Sequence, residues 1–238
     1  MKKRRVFSLI VLLILLLCAC GSQRTEPGQE GTSLQNAPGQ GLESAGYVFS
    51  AEIVDPTHLE DSLPAHIYKY FIRVNVFANT LTVYSKDSGG EYTVPYMNMI
   101  CSTGEATPQS GVYYLPGSCW PWLSLQGNVY GQYVTQIVGN ILFHSVPYEE
   151  LFDKATLETA EFNKLGTPAS MGCVRLQAGD AKWIYDNAVD IEAVEFYSDA
   201  DPGPLGWPEV PFISPWDERS GWDPTDPDPE NPWNENVE

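Results

Sequence analysis

A thiol and an imidazole 29 residues apart in a chain must be carried together by a sheet if they are to touch, and this sequence holds such a pair. Residues 169–176, Ala-Ser-Met-Gly-Cys-Val-Arg-Leu, set Cys173 between Gly172 and a β-branched residue. That pattern predicts a tight turn presenting sulfur beside free backbone amides. Upstream, His144 closes the apolar run 137–143 as a side chain at a strand end would. The other two histidines, His58 and His66, lie in or near a polar approach segment, so His144 is the credible partner.

The surrounding pattern supplies the strands such a pair requires. Tyr70, Ile72, Val74 and Val76 alternate with Phe71, Arg73, Asn75 and Phe77, the period-two signal of a strand. Residues 78–80 read as a turn and 81–85 as a second strand. Further extended runs are expected at 92–101, 111–115 and 191–197, and from Val134 to Phe143 with a break at Gly139-Asn140. Two helices are expected. One covers Tyr148 to Leu165, a loose amphipathic pattern. The other opens near Asp180, with Ala181, Ile184, Tyr185 and Ala188 at i, i+3, i+4 and i+7. About 130 residues can hold one adequate core, which places a mainly β (α+β) domain at 66–198.

The flanks read differently. Lys2 to Arg5 form a basic n-region, and Val6 to Ala19 an apolar stretch too short for a span of roughly 20 residues. Residues 1–19 are therefore expected to be a signal peptide. Its end, Leu17-Cys18-Ala19-Cys20-Gly21, resembles a bacterial lipobox, which implies cleavage before Cys20 and a lipid on its sulfur. An exported protein on the outer face of the cytoplasmic membrane follows, held by the lipid on Cys20. Residues 20–65 are expected to be a tether, since their Gly, Gln, Ser and Pro content over 21–46 cannot offset chain entropy.

Loss of residues 1–19 removes four basic groups and leaves nine basic against 31 acidic, a net charge of −22. Nucleic acid would be repelled and is excluded as a partner. Residues 199–238 hold nine prolines, four of the seven tryptophans, and eleven acidic groups against Arg219 alone. Such a tail is expected to be extended and solvated. Its tryptophans serve either a docking role or pack some rings back onto the domain, the second being preferred. Cys101 and Cys119 can pair in an exported protein, but Cys101 sits in a strand-like run and reads as a small buried apolar residue, so no disulfide is expected.

Ser170-x-Gly172-Cys173-x-Arg175, preceded by His144-Ser145, resembles the signature of the YkuD-type L,D-transpeptidases. The likeness extends to the 102–108 turn, Tyr130-Gly131-Gln132-Tyr133, Phe143 to Tyr148 and Asp180 to Trp183, and so covers roughly 66–198. It implies a mixed β-sandwich with a few short helices. It also implies a Cys173 nucleophile activated by His144, with Ser145 helping to hold the imidazole. A thiol of pKa about 8.5 needs such a base near neutral pH. The amides of Met171, Gly172 and Cys173, in the loop begun by Ser170, would face an oxyanion, each donor worth roughly 2.7–4 kcal/mol. Arg175 would bind a substrate carboxylate or buttress the loop, and Tyr130, Gln132 and Tyr133 would line the substrate groove, although core packing accounts for the two tyrosines nearly as well.

The implied reaction acts on peptidoglycan stem tetrapeptides. Terminal D-alanine leaves, a thioester forms, and an amine of a neighbouring stem resolves it, without metal or organic cofactor; a tethered monomer is the default expectation. With water as acceptor the enzyme is an L,D-carboxypeptidase. Met171 stands where the family usually has histidine, which also admits an inactive wall-binding domain of the same fold. A papain-like peptidase is disfavoured by the order of the two residues, because there the cysteine precedes the histidine.

Overall fold

The computed structural model describes residues 66–236; the expected signal peptide and tether, and Cys20, lie outside them. Among the described residues, nine strands form two sheets. The first contains β1 (Tyr70–Asn75), β2 (Thr80–Ser85), β3 (Val94–Ile100), β4 (Gly111–Tyr114) and β9 (Ile191–Tyr197), in the order β3-β2-β1-β9-β4. The second contains β5 (Cys119–Leu125), β6 (Val129–Val138), β7 (Ile141–Ser145) and β8 (Val174–Leu176), in the order β5-β6-β7-β8. Neighbours are antiparallel except β1 with β9 and β7 with β8. The helices are α1 (Thr159–Phe162) and α2 (Ala178–Asn187), followed by a 3-10 turn at Ala188–Asp190.

The alternation in β1 does what it predicts. Ile72 and Val74 are fully buried, while Arg73 turns outward to pair with Glu195 on β9 at 2.6 Å. Asn79 takes φ 53° in the turn to β2, a left-handed conformation that asparagine tolerates well. Ile72, Leu81, Val83, Met99, Phe143 and Val174 join one core with Ala181 and Ile184 of α2, so both sheets and the helix share a single apolar interior. Each such large side chain contributes about 1.5–3 kcal/mol on burial. Cys101 is buried, and Cys101, Cys119 and Cys173 are all unbridged.

Two expectations fail. The helix foreseen over 148–165 shrinks to the four residues of α1. Tyr148 instead bridges Leu157 in extended backbone, both buried, while Phe152 between them adopts φ 67° and is exposed. The apolar residues of this stretch reach the interior through a turn rather than along one helical face.

The second failure is the tail. Asp223, Asp226, Asn231 and Ile213 are buried, so the backbone of 199–236 is not a solvated coil. It runs as a strap without strands, its turns closed by aspartates. Asp223 Oδ1 accepts from Thr225 N (2.8 Å), and Asp226 Oδ1 from Asp228 N (3.0 Å). Trp233 packs against a second apolar cluster containing Val146, Tyr148, Leu157, Phe162 and Ile213, whereas Trp216 is 93% exposed.

Candidate active site

Strand parity decides which side chains meet. In β7, Phe143 faces the main core, so His144 faces the opposite side. In β8, Val174 and Leu176 face that core and Arg175 points away. The parallel register sets His144 opposite Arg175, and Cys173 is the residue that leads into β8. His144, Cys173 and Arg175 thereby line one cleft of about 500 Å³, together with Ser170, Met171 and Gly172. Its apolar wall comes from Trp120, Leu123, Leu125, Val129, Ile141 and Leu142.

The cysteine turn is braced from the 102–107 segment. Ser170 N donates to Thr103 O at 3.0 Å, Ala106 N to Met171 O at 3.3 Å, and Thr107 Oγ1 to Gly172 O at 2.7 Å. Ser170 Oγ donates to Cys173 O (2.5 Å) and accepts from Gly172 N (3.1 Å), so the Gly172 amide expected to face an oxyanion is already committed. Gly172 is required by space: a Cβ there would lie 2.9 Å from Ala106 Cβ. Gly104 is more constrained still, since its Cβ would fall 2.0 Å from Ser170 O.

His144 is buried, and its Nδ1 lies 2.6 Å from Ser145 O. A carbonyl only accepts, so Nδ1 carries the proton and Nε2 keeps its lone pair. Burial pushes the His144 pKa down to about 4; the Arg175 charge adds to this, and the Ser145 hydrogen bond opposes it. The ring is therefore neutral at physiological pH. Burial likewise raises the Cys173 thiol, with the Leu142 backbone and Arg175 pulling the other way. Its Sγ donates to Asn140 O at 3.5 Å, a long contact but one available only to the protonated form. The pair at rest is neutral thiol and neutral imidazole.

The remaining expected residues divide. Ser145 is fully buried behind the ring, which it holds through its carbonyl; its hydroxyl donates to Val146 O and accepts from Gln132 N, both at 2.9 Å. Arg175 Nη1 pairs with Glu161 Oε2 of α1 at 2.7 Å, a bracing contact. Gln132 does not line the groove: it is 0% exposed, because its strand position points it beneath the sheet toward the strap. Tyr130 and Tyr133 also lie outside the cleft lining. Tyr130 bridges Tyr148, and Tyr133 stacks near Tyr185.

Sequence reading missed Gly131 and Asn140. A Cβ on Gly131 would stand 3.2 Å from His144 Nδ1, so this glycine leaves room for the ring. Its place in Tyr130-Gly131-Gln132-Tyr133 was the available signal.

Residues 69–195 match the family model described as the L,D-transpeptidase catalytic domain, YkuD. A Bacillus subtilis (strain 168) protein named "Putative L,D-transpeptidase YciB" is 41% identical over 86 residues, which are 35% of this chain and 42% of that protein. The chain thus spans less than half the length of this curated relative. Among solved structures, an L,D-transpeptidase from Mycobacterium smegmatis is 16% identical, with 55% of this chain and 59% of that one covered and a TM-score of 0.41. One from Stackebrandtia nassauensis is also 16% identical, covering 60% and 62%, at a TM-score of 0.38. The sequence match over more than half of its length makes the chain a member of the YkuD family of L,D-transpeptidase catalytic domains.

Proposed function

We propose that this chain is a cysteine-dependent L,D-transpeptidase acting on peptidoglycan stem tetrapeptides. The observation that supports it best is the His144 Nδ1–Ser145 O contact, which leaves Nε2 as the proton acceptor in the cleft that Cys173 also lines. In this reading Nε2 takes the thiol proton as sulfur attacks the carbonyl before terminal D-alanine. The oxyanion is met by the amides of Met171 and Cys173, since that of Gly172 is engaged by Ser170. The imidazolium returns its proton to the departing D-alanine amine, and a thioester remains on Cys173. An amine of a neighbouring stem then attacks, gives a proton to Nε2, and releases the sulfur, which regains that proton. Water in place of the amine gives the L,D-carboxypeptidase outcome.

The apolar wall suits the aliphatic stem of a diamino acid. Arg175, already paired with Glu161, buttresses the site rather than carrying an unshared charge toward a substrate carboxylate. We further propose that cleavage before Cys20 and lipidation there hold the protein as a monomer on the outer face of the cytoplasmic membrane, on the strength of the Leu17 to Gly21 pattern.

Met171 favours one competing reading. It is 62% exposed on the cleft where the family usually has histidine, and a thioether offers no useful hydrogen bond. An inactive wall-peptide binder would tolerate it. Intact mass of the purified protein after incubation with a stem tetrapeptide, beside Cys173→Ala, separates the two. A mass increase with D-alanine release, present only when Cys173 is present, is the expected result. Peptide binding by calorimetry without either signal would replace the enzyme by the binder.

A further inference from the structure

The family match ends at residue 195, yet the strap that follows is fitted into the domain. Asp223 Oδ2 accepts from Ala178 N at 2.8 Å and Thr225 Oγ1 from Gly179 N at 2.9 Å. The strap thus satisfies two first-turn amides of α2, whose own N-cap residue, Gln177, makes no capping bond. The fit requires glycine at two contacts, one with α2 and one with the 155 segment. A Cβ on Gly179 would lie 2.7 Å from Thr225 O, and one on Gly221 would lie 2.1 Å from Ala155 O.

One strap side chain reaches toward the candidate base. Asp226, 1% exposed, accepts from Gln132 Nε2 at 3.1 Å and from Lys154 Nζ at 3.0 Å. Gln132 sits in the middle of β6 beside Gly131, the residue against His144. Its backbone N donates to Ser145 Oγ, and Ser145 O holds His144 Nδ1. A buried carboxylate outside the matched domain is therefore joined to the imidazole by three consecutive hydrogen-bonded links.

We propose that Asp226 is a positioning residue for His144, with the strap clamping Gln132 and Ser145 so that the imidazole keeps its tautomer and its orientation in the cleft. This rests on the reading of His144 as the base. It adds that the working site of this protein extends past the family domain into 199–236. The carboxylate never touches substrate; it fixes Gln132, which holds the Ser145 hydroxyl, and Ser145 O accepts the hydrogen bond from Nδ1–H.

The test uses the full chain with Asp226→Ala, Asp226→Asn and Gln132→Met. The readouts are kcat and KM with stem tetrapeptide, together with the exchange of the His144 Nδ1 proton by NMR. Asp226→Ala is expected to lower kcat at least tenfold with KM within about twofold, and to speed exchange of the ring proton. Asp226→Asn keeps an acceptor for Gln132 and is expected to restore most of the kcat, which general destabilisation would not allow. Asp226→Ala with kcat within twofold of the parent and an unchanged ring proton would overturn the proposal. Should Asp226→Ala fail to fold, Gln132→Met decides: it severs the link while leaving the ion pair with Lys154. Unchanged kcat and ring-proton exchange there overturn the proposal, and a fall in kcat with faster exchange supports it. Should the parent prove inactive, the ring proton still reports the clamp, separating failure of this inference from failure of the proposed activity.

Discussion

At His144 burial has two consequences, which oppose each other on the pKa, and the loss of water wins. The ring loses water, which disfavours the imidazolium, and it gains the Ser145 carbonyl, which fixes the neutral tautomer. A base with folded-state pKa of about 4 rather than 6.5 remains unprotonated through the whole neutral range. The expected pH profile of kcat/KM therefore shows no limb at 6–7 and falls only as pH drops toward 4. An acid limb centred near 6.5 would mean that the ring is hydrated in the working enzyme. The stability sign is the same. Between 6.5 and 4 the unfolded chain takes up a proton at this position that the folded one refuses, so this residue's share of stability declines as pH falls. Gly131 offers a second check. Gly131→Ala brings a methyl to 3.2 Å from Nδ1, and about a tenfold loss of kcat is expected with melting temperature nearly unchanged. Full activity in that variant would show that the ring has slack. Cys173 and His144 were legible because their chemistry is written in residue type. Gly131 was not, because its need arises from a neighbour on the adjacent strand, and Gln132 was misplaced because composition does not say which face of β6 meets the groove.

Among the elements, α2 shows how long-range partners complete what local sequence leaves open. Asp180 lies in its first turn and reads as a cap, yet the capping oxygens come from Asp223 and Thr225, more than forty residues onward. Asp180 is instead half-buried beside Asp223. Burial raises its pKa to about 7, with the Asp223 charge adding to the shift, and raises that of Asp223 to about 6, with the Asp226 charge adding to it. For an acid raised on folding, the stabilising contribution is complete below the unfolded pKa near 3.8 and is lost as pH climbs through the folded values. These two residues therefore favour the fold at pH 5 over pH 8. Asp180→Asn removes the charge and keeps an amide in place. A gain in melting temperature of a few degrees at pH 8, shrinking at pH 5, is expected. An equal shift at both pH values would show that Asp180 is not protonated in the fold. β1 was legible from its alternation, and β2 to β4 as extended runs set between turn residues. β5 was not: Pro121 argues against a strand, and is accommodated because β5 is the edge of its sheet and Pro121 is exposed.

The described residues have two apolar interiors, and the strap belongs to the second. Ile213 is fully buried against Val146, Tyr148, Leu157 and Phe162, and its backbone is clasped by Asn163, which donates Nδ2 to Ile213 O (2.8 Å) and accepts from Ile213 N (2.9 Å). Asn163 is the C-cap of α1, the helix that carries Glu161 to Arg175 at the cleft. Nothing in a proline-rich acidic stretch announces this. Its low apolar content argues for solvation, while the compensating features are turns closed by its own aspartates and one isoleucine with a prepared site. If strap and domain share a core, they unfold together. Ile213→Ala is expected to cost about 2–4 kcal/mol through lost burial and the cavity left behind. Urea unfolding should still show one transition, coincident by tryptophan fluorescence and far-ultraviolet circular dichroism. Trp207, Trp216, Trp222 and Trp233 make fluorescence sensitive to the strap, whereas the dichroism reports mainly the sheets. A cost below about 0.5 kcal/mol, or a fluorescence change preceding the loss of sheet signal, would mean that the strap is an accessory lying on a domain already complete without it.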